Sequence, residues 1–139
     1  GTWVVKEFDL EKMLIKNYID ACAIYRKSLW ASVGGYDTKM PFQGNEDWDF
    51  WLALGIKKVV FKHLNEIAFD YRVTKTSMIN SYSADMYLEN KNFIHKKYCQ
   101  QYFTYFKKNH DIMVNYNQAP WQTSLLFFKK WIKKYFRLF

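Results

Sequence analysis

The run Asn45-Glu46-Asp47-Trp48-Asp49-Phe50-Trp51-Leu52 constrains this chain more than any other stretch. Three carboxylates stand directly before and among a string of large apolar side chains. Acids in a first helical turn complement the macrodipole by about 0.3–1 kcal/mol each, so the run reads as a helix from Glu46 to Leu54. Asn45 serves as its cap and Gly55 as its stop. At helical periodicity Asp47 shares a face with Phe50, Trp51 and Leu54. That face belongs in a core, which leaves Asp47 at the core's mouth and partly out of water. Burial raises a carboxylate's pKa and makes it a better base near neutral pH. Complementing the helix dipole explains the acids equally well. Glu46 and Asp49 fall on other faces. Asp47 and Asp49 also match an Asp-x-Asp metal pattern, but residues two apart on a helix point to different sides, so no metal site is expected there.

Other elements follow from local signals. Asp9 can cap a short helix over 9–16, with Phe8 stapled onto Met13. Residues 21–26 read as a buried strand, and 27–33 as a helical turn or two stopped by Gly34-Gly35. A loop follows to Asn45. Residues 58–64 and 66–73 are strand candidates, rich in β-branched and aromatic residues. A long helix is expected over 84–108, a linker over 109–120 and a final helix over 121–138. Half of the 139 residues are hydrophobic, enough for a packed core. The two cysteines, Cys22 and Cys99, have neither metal nor disulfide spacing and suit a reducing compartment. His63, His95 and His110 are scattered. No apolar stretch approaches a membrane span or a signal peptide. The chain begins at Gly1 rather than Met, and reads as a cut, a cloning scar or the edge of a fragment.

The net charge of +8 is uneven, with +1 over residues 1–80 and +7 over 81–139. In the tail, Lys129, Lys130, Lys133, Lys134 and Arg137 fall on one helical face, and Phe128, Trp131, Ile132, Tyr135 and Phe139 largely on the other. Basic residues opposite aromatic ones describe a helix lying in the plane of an anionic membrane surface, with Trp131 at the interface. A solvated basic face on a packed helix is the plainer alternative. Nucleic acid is the poorer partner, because the opposite face of the helix is strongly apolar.

Taken in order, several pieces resemble family 2 glycosyltransferases. They are Asn17-Tyr18-Ile19, Ala23-Ile24-Tyr25-Arg26-Lys27-Ser28-Leu29-Trp30, Val33-Gly34-Gly35-Tyr36-Asp37, the Glu46–Leu52 run, and Phe69-Asp70-Tyr71-Arg72-Val73 with Ser77-Met78. The resemblance covers roughly residues 8–80. It implies an α/β class: a partial GT-A-type domain, with a mixed sheet and flanking helices, followed by C-terminal helices. The chain would be the acceptor-side half (1–80), a long helix and linker (81–120) and a basic amphipathic helix (121–139). The resemblance makes Asp47 the general base of an inverting sugar transfer. Glu46 would orient the site or bind acceptor, Trp48 would wall the sugar pocket, and Gly34-Gly35 would let backbone approach the donor sugar. Arg72 would help neutralise the diphosphate, or else form a structural ion pair. The family's Tyr-Arg strand often continues to a metal-binding His, where this chain has Thr74. A divalent cation (Mg or Mn) is implied, with its main ligands outside this chain. The implied partners are a nucleotide sugar and a glycan or lipid-linked acceptor, at the inner face of the membrane in the cytoplasm. A non-catalytic membrane-binding module derived from that fold is the competing class; it would bind lipid without needing Asp47.

Overall fold

The structure is a computed structural model that describes residues 4–70, 72, 74, 82–119, 124, 125, 127 and 130. It divides into two compact units, Gly1–Tyr98 and Cys99–Phe139. The first contains α1 (Leu10–Ile15), α2 (Lys27–Ser32), α3 (Glu46–Ile56) and α4 (Ala84–Lys97); the second contains α5 (Cys99–Gln118).

The first unit is built on α3. Its side chains Trp48, Phe50, Trp51, Leu52 and Leu54 are buried, joined in the core by Met13 and Leu14 of α1 and by Ile94 and Tyr98. Asp9 caps α1 as expected, accepting a hydrogen bond from the Lys12 amide at 3.1 Å. The Trp48 indole donates to the Met13 carbonyl at 2.7 Å, which pins α1 to α3. Phe8 stacks on Phe61 with ring centroids 3.8 Å apart and also reaches Gly55.

Gly55 does not end α3. It lies inside the last turn, where a Cβ would come within 2.5 Å of the Phe8 ring. The helix ends at Ile56 with Lys57 as its C-cap, and Lys58 just beyond takes φ +59. The Lys58 amide bonds the Gly55 carbonyl at 2.9 Å and the Val59 amide bonds that of Leu54 at 3.1 Å, a Schellman ending without glycine. Asn45 occupies the N-cap position of α3, but its side chain does not cap. Its oxygen accepts from the Tyr82 hydroxyl at 2.7 Å instead.

The expected mixed α/β sheet is not formed: the described residues are helical or irregular, with no strand among them. Residues 21–22 form a turn, Ile24 is almost fully exposed, and 59–70 run outside any helix with Val60, Leu64 and Ile67 in solvent. The end of the 66–73 strand candidate, at Tyr71 and Val73, lies outside the described residues. Alternating β-branched residues express only a local preference. A strand also needs a neighbour to complete its ladder, and the described residues supply none.

The long-helix expectation also changes. Ser83 caps α4, accepting from the Met86 amide at 3.2 Å. This helix ends at Lys97, and α5 then runs to Gln118 through the expected linker. Asn109, Asn115 and Asn117 are tolerable helix residues, and no Pro or Gly falls between Ala84 and Pro120. In the tail, Ser124, Leu125, Phe127 and Lys130 are helical.

Candidate functional site

The site is the N-terminal turn of α3 and the chain around it. Asp47 is partly buried there. One carboxylate oxygen accepts from the Trp48 amide at 2.7 Å and the other from the Asn17 side-chain amide at 3.0 Å. Loss of water pushes the Asp47 carboxyl above its ordinary range. The bonds from Trp48 and Asn17 pull it back in part, and the charges of Glu46 and Asp20 push it up again. The core-mouth position expected from the helical wheel is thus its position in the fold.

Asn17 is held for this contact by a local turn, its own oxygen accepting from the Ile19 amide at 3.2 Å. An aromatic cluster lies against α3. The Tyr25 and Tyr36 rings meet Phe50 at centroid distances of 4.8 and 5.5 Å, and their hydroxyls are 3.4 Å apart. The Tyr36 hydroxyl is pushed up to about 12, first by its hydrogen bond with Tyr25, then by burial, and further by charges that include Asp47 and Glu46. It therefore stays protonated at neutral pH and can donate. The indole N–H of Trp51, whose ring packs edge-on to Tyr25, is buried with no acceptor among the described residues.

The other expected site residues are placed as follows. Glu46 turns back to accept from the Gly44 amide at 2.6 Å, which braces the loop before α3. Trp48 is fully buried and bonded to Met13, so it packs the core rather than walling an open pocket. Gly34 and Gly35, at φ +83 and +77, end α2: their amides bond the carbonyls of Ala31 and Trp30. Among the described residues nothing lies within 4 Å of where a Gly34 Cβ would stand, whereas a Gly35 Cβ would come within 2.5 Å of the Trp30 ring. Both glycines thus serve the helix stop. Gly34→Ala is expected to cost about 1 kcal/mol through its backbone conformation alone. Gly35→Ala is expected to cost about 2 kcal/mol or more, because the indole must also move. Comparing urea midpoints of the two variants checks the order. Arg72 is exposed and outside any helix. Lys130 is exposed and helical, while Lys129, Trp131, Lys133, Lys134 and Arg137 lie outside the described residues.

No known family model, curated protein or solved structure matches this chain. What the site can do is therefore judged from its own chemistry.

Two supports of the site were not evident in the sequence. Asn90 of α4 is fully buried. It accepts from the Phe42 amide at 2.9 Å and donates to the Phe42 carbonyl at 2.7 Å, while also meeting Asn45 and the Tyr82 hydroxyl. This holds the loop entering α3 to a residue almost fifty positions away. Asp49 is the second support. It is buried, with one oxygen 2.8 Å from Lys97 Nζ and the other accepting from the Tyr98 hydroxyl at 2.8 Å. Lys97 also meets Asp37 at 2.7 Å.

Asp47 and Asp49 are accordingly committed in different directions, to Asn17 and to Lys97. Among the described residues no group of three His, Cys, Asp or Glu side chains is gathered around a common point.

Proposed function

We propose that this chain carries the acceptor-side catalytic residue of an inverting glycosyltransferase resembling family 2, with Asp47 as general base. The observation that supports the reading is Asp47 itself. It is a carboxylate at a rigid helix start, partly desolvated, with its basicity raised by burial and its orientation held by Asn17. A carboxylate made more basic by burial and fixed in direction suits removal of a proton from an acceptor hydroxyl. That oxygen attacks the anomeric carbon as the bond to the nucleoside diphosphate breaks on the opposite face. The proton passes to Asp47 and the configuration inverts. The Tyr36 hydroxyl, neutral and near these charges, suits orientation of the acceptor. The donor is a nucleotide sugar held largely by residues outside this chain, so the segment alone is expected to turn over no donor. The acceptor is a glycan or lipid-linked saccharide of cell-surface polysaccharide synthesis, reached from the cytoplasmic face of an anionic membrane.

The test is release of nucleoside diphosphate from a panel of nucleotide sugars by the natural protein that carries this segment, with and without a membrane extract that supplies lipid-linked acceptors. Release that depends on both acceptor and Asp47 supports the reading. Vesicle binding without any acceptor-dependent release would favour the non-catalytic membrane module.

A further inference from the structure

Among the described residues of the second unit, α5 carries an exposed apolar face. On α5, Phe103, Phe106 and Met113 are each more than 60% exposed, at 62, 67 and 66%. Their 3-and-7 spacing, with His110 between, places all four along one stripe. The His110 ring lies near-parallel to Phe106, at a centroid distance of 6.3 Å. The neighbouring arc of the helix (Tyr102, Tyr105, Asn109, Ile112) is partly covered, so the stripe is not simply the packed side of the helix. Lys107 follows Phe106 directly, and with Phe103, Thr104, Lys108 and Asp111 it lines one open depression along α5.

An exposed stripe of this kind suits either a lipid interface or a second helix with the same spacing. Charge decides between them. Residues 99–139 contain seven Lys or Arg and a single acid, Asp111, a net of +6. Two such units repel each other, whereas an anionic surface attracts both Lys107 beside the stripe and the rest of the unit. We propose that the Phe103–Phe106–Met113 face of α5 inserts into the headgroup layer of an anionic bilayer, forming a membrane-contact surface in addition to the basic tail. This deepens the membrane part of the proposed function and rests on it. It is separable from the transfer chemistry, because vesicle binding needs no donor sugar.

The experiment is flotation of the full chain with vesicles of phosphatidylcholine alone or mixed with phosphatidylglycerol. The chain is expected to float with the anionic vesicles only. Phe106→Gln with Met113→Gln is expected to weaken partitioning by about tenfold or more, while the same pair changed to Leu keeps it. If the Gln pair alters helical content, Phe103→Gln alone reads the same stripe. Wild-type flotation by the Gln pair would overturn the proposal and leave the tail as the membrane element. Flotation by neither protein would overturn it together with the membrane reading. A dimer in sedimentation that the Gln pair dissolves, without vesicle binding, would give the stripe to a second copy of the chain.

Discussion

Asp47→Asn in the natural protein is expected to lower acceptor-dependent transfer by about 10²–10⁴-fold, the usual worth of a positioned general base. The fold is expected to survive. In the folded state the Asp47 carboxyl lies above its ordinary value, chiefly through burial. A raised carboxylate favours the native state below its unfolded pKa and loses that contribution as pH rises through the folded one. At neutral pH the charge is therefore a cost, and the amide removes it. Against this, the substitution spoils the bond from Asn17, worth about 1 kcal/mol. The two effects oppose each other, so the thermal midpoint should move little. Full transfer in a folded Asp47→Asn protein would remove Asp47 from the reaction. A collapse in stability would make its role structural.

The second large effect is expected at Lys97. Lys97→Met leaves Asp49 buried with the Tyr98 hydroxyl and no cation. Breaking a buried ion pair costs about 3–5 kcal/mol. Lys97 keeps about a third of its side chain in water, so about 2–3 kcal/mol is the expected loss of unfolding free energy. Burial works against the charge on Lys97, but hydrogen bonds to Asp37 and Asp49 outweigh it and leave its pKa raised. That contribution is complete below the unfolded value and lost as pH rises through the folded one. Asp37 is lowered, first by its bond from Lys97. Its contribution is present above the unfolded value and lost as pH falls through the folded one. Denaturant midpoints measured across pH should therefore fall at both ends in the wild type, and more shallowly in Lys97→Met. Equal midpoints for the two proteins at neutral pH would show that the pair contributes nothing.

The legible parts of the fold were those governed by local chemistry. Asp9 before an apolar-periodic run, the Gly34-Gly35 stop and the acidic start of α3 each depend on residues a few positions apart. Asp47 was legible for the same reason, since its face is set by helical periodicity within α3. The sheet expectation failed because pairing is non-local: residues 58–70 have strand-like composition but no partner among the described residues. Gly55 was misread because its role depends on Phe8, 47 positions earlier in the chain. The roles of Asn17, Asn90 and Lys97 are hidden on similar grounds, although Asn17 stands within the resemblance. Each meets its partner 30 or 48 residues away, and no local pattern distinguishes a buried asparagine from one in a surface loop.

The most direct measurement is the pH dependence of kcat/KM for transfer by the natural protein and by its Asn17→Ala variant. If Asp47 is the base, the acid limb of the wild-type profile should lie above the ordinary carboxylate range, since burial holds its pKa up. The Asn17 bond lowers that pKa, so removing it should carry the limb to still higher pH, and the plateau should fall as well because Asn17 also holds the carboxylate's direction. A limb at the same pH in both proteins would contradict Asp47 as the group that takes the proton.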